Sequence, residues 1–114
     1  MNYICTKEGV EFATIAPGGF RILAALWKAA QTLQQDLTIT AGTDGIHSGP
    51  NDPHYRGCAY DIRTVDLPAG VAEKLQQTLQ DDLGDAFYVL LETAGPHTTA
   101  PHIHCQVTKG TIYG

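Results

Sequence analysis

The sequence predicts a small α+β domain, an antiparallel sheet with two packed helices, built from residues 1–114 as one unit. Two stretches repeat apolar residues at helical spacing, and four short ones alternate apolar and polar with β-branched enrichment. Their order is helix, strand, long loop, strand, helix, strand, strand. No internal repeat or linker-like composition divides the chain.

The first helix is predicted over 20–35, entered from Pro17-Gly18-Gly19. Phe20, Leu23, Leu26, Trp27, Ala30 and Leu33 form its expected buried stripe. Leu37-Thr38-Ile39-Thr40-Ala41 alternates as a strand with one face inward. The following loop, 42–57, is rich in Gly, Pro, Asn, Asp and His. A connection that long inside so small a domain is expected to be functional. A strand over 58–64 puts Ala59, Asp61 and Arg63 on one face, with Cys58, Tyr60 and Ile62 on the other. Asp66 and Pro68 signal the start of the second helix. It repeats Val71, Leu75, Leu79 and Leu83 and stops at Gly84. Strands over 86–92 and 102–107 close the order, separated by the Gly-Pro-Thr-rich segment 93–101.

Seven basic against twelve acidic side chains give a formal net charge of −5 and a pI of about 5.3. Binding to DNA, RNA or anionic lipid needs clustered Lys and Arg, so nucleic acid and membrane surfaces are not expected partners. No apolar run approaches the ~20 residues of a transmembrane helix. The start, Met1-Asn2-Tyr3-Ile4-Cys5-Thr6-Lys7-Glu8, lacks a basic segment followed by an apolar one. Synthesis in a cytoplasm without a signal peptide is therefore expected. Cys5, Cys58 and Cys105 are odd in number with no CxxC spacing, which fits reduced thiols. Cys58 and Cys105 fall on apolar strand faces, which argues against a cysteine hydrolase.

Three segments hold the chemistry. On the last strand, His102, His104 and Gln106 share one face and Ile103, Cys105 and Val107 the other. Adjacent imidazoles need polar partners, and a borderline cation such as zinc is a common one. His54 ends the long loop and Asp61 lies in the strand it feeds. With His104 they supply two imidazoles and a carboxylate, leaving a fourth coordination position for water. The alternative is a solvated His54 with Asp61 paired to Arg63 or Arg56. In the third segment Glu92 closes an apolar strand, either at a solvated end or held for acid/base work. Asp44 and Asp52 are too few oxygens for a calcium site.

Together these segments resemble a family of zinc peptidases. It groups D-Ala-D-Ala carboxypeptidases, phage L-alanyl-D-glutamate endolysins and the signalling domain of Hedgehog proteins. His54-Tyr55-Arg56-Gly57-Cys58-Ala59-Tyr60-Asp61 is similar to the family's H-x-x-G-x-A-x-D motif, and His102-Ile103-His104-Cys105 to the HIHC strand of Hedgehog domains. Asp44-Gly45-Ile46-His47-Ser48 resembles the stretch before the first ligand. The resemblance covers roughly 18–107, with a longer connection from Glu92 to His102 than in Hedgehog domains. It implies a Hedgehog-like or peptidase-like fold and one zinc per chain on His54, Asp61 and His104. Glu92 would be the general base, with His102 and His47 lining the catalytic site.

The implied activity is a zinc metallopeptidase cutting bacterial peptidoglycan stem peptides. Such an enzyme fits a phage or prophage endolysin that works as a monomer at the cell wall after release. The carboxypeptidase branch carries an arginine before the first ligand, and 38–53 has none, which favours an endopeptidase; Arg56 or Arg63 could instead hold a substrate carboxylate. The alternatives are a D,D-carboxypeptidase and a non-catalytic zinc-binding module that docks a partner. His97 matches no family position.

Overall fold

The computed structural model describes residues 1–45, 49, 52–93 and 100–108. The elements are β1 (Ile4–Thr6), α1 (Pro17–Leu33), β2 (Leu37–Ala41), β3 (Ala59–Arg63), α2 (Val71–Leu83), β4 (Phe87–Glu92) and β5 (His102–Val107). One five-stranded sheet has the order β1-β2-β3-β5-β4. Its α+β class is as expected, but the sheet is mixed rather than antiparallel. β1 runs parallel to β2, with Ile4 beside Leu37, because α1 carries the chain back to the same end of the sheet between them. The other pairs are antiparallel.

Alternation sorts the strands into two faces. Ile39, Tyr60, Ile62, Val89, Ile103, Cys105 and Val107 enter a core shared with Ile22, Leu26, Leu75 and Leu79 of the helices. The buried side of α1 includes Ile22, Ala25, Leu26, Ala29 and Ala30; of the expected stripe Leu26 and Ala30 are buried and Leu23 and Leu33 pack against the core, whereas Phe20 and Trp27 are 62% and 50% exposed. Apolar residues surround most of this helix, so periodicity marks two candidate faces. The glycine- and alanine-rich one wins because it lets the backbone come close to its neighbours. At Gly19 a Cβ would collide with the Gly57 carbonyl oxygen. Arg21 and Lys28 both bond the Asp82 carboxylate, at 2.9 and 3.1 Å, and tie α1 to α2. α2 starts at Val71, after Gly70 at φ 82°, later than the Asp66 and Pro68 signals suggest. Among the described residues no helix is long and apolar enough to cross a membrane.

The outer edge of β4 is closed by α2. Gln80 donates to the Phe87 carbonyl at 2.9 Å and accepts from the Val89 N–H at 2.9 Å. Gln76 donates to the Val89 carbonyl at 2.9 Å.

Candidate metal centre

The second sheet face is polar in its middle. Register places its residues in rungs across three strands: Arg63, His102 and Glu92; then Asp61, His104 and Leu90; then Ala59, Gln106 and Tyr88. Two of the expected ligands, Asp61 and His104, are therefore direct cross-strand neighbours. The third arrives from the tight turn before β3. There the Cys58 N–H bonds the Pro53 carbonyl and the Gly57 N–H bonds the His54 carbonyl. The turn needs Gly57, whose φ is 71° and where a Cβ would strike the Thr14 carbonyl. Its own carbonyl accepts from the Ala16 N–H at 3.0 Å, fixing the turn to the start of α1. His54 is thereby driven inward and is only 3% exposed.

His54, Asp61 and His104 each present one ligand atom, all within 4.8 Å of one another, so the group can hold a metal ion. His54 Nε2 lies 3.4 Å and His104 Nδ1 2.9 Å from Asp61 Oδ1. Their other ring nitrogens are occupied. His54 Nδ1–H donates to the Gly42 carbonyl at 3.0 Å. His104 Nε2–H donates to Gln106 Oε1 at 2.8 Å, an oxygen that also accepts the Tyr88 hydroxyl at 2.8 Å. These outer bonds set both tautomers so that lone pairs face the carboxylate. Lone pairs turned on a carboxylate repel it unless a cation, a proton or a metal, lies between them.

Without a metal, a proton at the 2.9 Å contact between His104 and Asp61 can take that place. Burial pushes the Asp61 carboxyl up, but hydrogen bonds from His104 and His54 outweigh it and hold the group well below the ordinary carboxylate range. Burial likewise pulls the His104 imidazole down, yet its bonds to Asp61 and Gln106 and the nearby carboxylates hold it above its ordinary value. Among the described residues Asp61 makes no ion pair with Arg63 or Arg56.

Beside this group stands a second pair. His102 Nε2 lies 2.9 Å from Glu92 Oε2 and 3.9 Å from Asp61 Oδ2. His102 Nδ1–H donates to the Ala100 carbonyl at 2.9 Å. The 2.9 Å contact with Glu92 is short enough for a proton to lie between the two groups. Arg63 lines a cleft next to Asp61 and His102, whereas Arg56 is exposed in the turn. His47 and His97 lie outside the described residues.

Burial raises the Cys58 and Cys105 thiols above their usual range, which keeps them protonated and poor nucleophiles. Asp44 and Asp52 accept backbone N–H bonds that shape the loop. The sequence reading missed Gln106 and Tyr88 as supports of His104. Their signal was the shared face of β5 and its rung on β4. No protein family, curated protein or solved structure matches this chain.

Proposed function

We propose that the His54, Asp61 and His104 group binds zinc and that the protein is a zinc peptidase. The observation that carries this reading is a division of roles on one sheet face. Three ligand atoms converge with their tautomers set, while the adjacent carboxylate of Glu92 belongs to a separate pair with His102. Two neutral imidazoles and one carboxylate suit a borderline cation and leave a coordination position for water, as a catalytic site requires. When bound, zinc supplies a Lewis acid and an acidified water.

Glu92 takes the proton from the attacking water and returns it to the leaving amine. His102 positions Glu92 through the 2.9 Å contact between its Nε2 and the carboxylate. Bacterial peptidoglycan stem peptides are the substrate class on the strength of the motif resemblance, with cleavage inside the peptide chain. A monomer suffices, since every group named comes from one chain.

The test is mass spectrometry of fragments released from purified peptidoglycan by the zinc-loaded protein, beside His104→Ala and Glu92→Gln. Defined peptides from the wild type alone, with zinc retained in Glu92→Gln, support the reading, and the new termini identify the bond. No release from zinc-loaded wild type overturns it in favour of a non-catalytic metal-binding module.

A further inference from the structure

Asp61 turns its two oxygens toward two different sets of partners. Oδ1 lies 2.9 Å from His104 Nδ1 and 3.4 Å from His54 Nε2. Oδ2 lies 3.9 Å from His102 Nε2, which in turn lies 2.9 Å from Glu92 Oε2. His102 repeats the device seen at His54 and His104. Its Nδ1–H is committed to the Ala100 carbonyl at 2.9 Å, so in the neutral ring the Nε2 lone pair faces two carboxylates. Such a trio is stable only with a cation, a proton or a metal, among its members.

The sheet holds the trio in place. Glu92 and His102 are paired across β4 and β5, and Asp61 stands one strand away on β3. The separations of 2.9 and 3.9 Å bracket the roughly 3.3 Å edge of a tetrahedron with nitrogen and oxygen ligands about 2.0 to 2.1 Å from zinc. The His102, Glu92 and Asp61 side chains are 22%, 35% and 18% exposed. A cleft of about 340 Å³, walled in part by Asp61 and His102, gives an ion a way in and leaves room for water to complete its shell. Lys7 and Arg63 line the same cleft, and their positive charge opposes a second dication there.

We propose that His102, Glu92 and Asp61 Oδ2 form a second, weaker zinc site, bridged to the first through the Asp61 carboxylate, and that filling it stops hydrolysis. The site rests on this geometry alone, and the inhibition rests on the peptidase reading. A Glu92 carboxylate engaged by an ion cannot take the proton of the attacking water. Free zinc thus has opposite effects at the two sites, the first occupancy enabling the reaction and the second blocking it.

The test is isothermal titration calorimetry of chelator-treated protein with zinc, beside Glu92→Gln and His102→Ala. The wild type should take up two ions per chain in a tighter and a weaker step. Each variant should take up one, with the affinity of the tighter step. Cadmium-113 NMR of the cadmium-loaded proteins should give two resonances for the wild type and one for each variant. Uptake of a single ion by the wild type, or a second ion that survives in both variants, overturns the site. Release of peptide from peptidoglycan should fall about 100-fold as the weaker step fills, the scale of a lost general base, and hydrolysis that persists with both ions bound overturns the inhibition. Two ions without hydrolysis at any zinc concentration keep the second site and remove the peptidase reading, and hydrolysis with one ion throughout does the reverse.

Discussion

Asp61 and His104 face each other across β3 and β5, with Oδ1 and Nδ1 2.9 Å apart. That contact can hold a proton in the metal-free chain, and a metal must displace any such proton to bind. The pH dependence of stability therefore changes sign with metal. His104 is held above the ordinary imidazole value of 6.5, so its contribution is complete below about pH 6.5 and is lost as pH rises through its folded value. Asp61 acts in the opposite direction, contributing above the ordinary carboxylate value of 3.8 and losing its effect only in strong acid. Thermal melts of chelator-treated protein should fall in midpoint from pH 6.5 upward. The zinc-loaded midpoint should rise over the same range, because zinc competes with fewer protons. Parallel slopes for the two forms would refute the shared-proton account.

Removing a ligand should remove the metal. His54→Ala, Asp61→Asn and His104→Ala should each abolish stoichiometric zinc, measured by elemental analysis after dialysis. The wild type, at free zinc one hundred times its dissociation constant, should gain about 2.7 kcal/mol and roughly 10 °C in Tm. The variants should show no such gain.

Gln106 acts on the metal through His104. Gln106→Leu should weaken zinc binding about 10- to 100-fold while leaving the far-ultraviolet circular dichroism unchanged. Tyr88→Phe removes only the second hydrogen bond to Gln106 Oε1 and should have the smaller effect. Competition with a coloured chelator gives both affinities, and equal binding by wild type and Gln106→Leu would rule out the tautomer-setting role.

Gly19 offers a steric test. It lies inside α1, where its φ suits any residue, so only the collision of an added Cβ with the Gly57 carbonyl and Tyr60 hydroxyl oxygens matters. The Gly57 oxygen is fixed by its bond from Ala16 and cannot retreat cheaply. Gly19→Ala should cost about 1–3 kcal/mol in urea unfolding and should weaken zinc binding, since the same turn carries His54. A stable Gly19→Ala protein with unchanged zinc affinity would contradict the packing described.

Much of the site was legible because a period of two fixes faces without reference to tertiary structure. β5 has the predicted bounds, and His102, His104 and Gln106 share its polar face as expected. The grouping of His54 with Asp61 and His104 was what the family resemblance implied, while their spacing alone left a solvated His54 equally open; the three ligand atoms lie within 4.8 Å of one another. The buried side of α1 was legible only in part: Leu26 and Ala30 are buried as expected, but Phe20 and Trp27 are not. With Phe20, Leu23 and Trp27 on one side and Ile22, Ala25 and Ala29 on another, the choice depends on how closely a helix can approach the sheet. β1 escaped notice because three residues, Ile4–Thr6, are too short to show alternation, and with it went the position of Lys7. Tyr88 and Gln106 depend on a pairing register between β4 and β5 that the segment joining them does not specify.

The glutamine bonds on β4 bear on how the molecule tolerates crowding. An open border strand is a template onto which another chain can zip, the first step of sheet-to-sheet polymerisation. Here Gln76 and Gln80 already occupy the outward groups of Phe87 and Val89, and the opposite border, β1, is only three residues long. A visiting peptide finds little backbone to extend at either border.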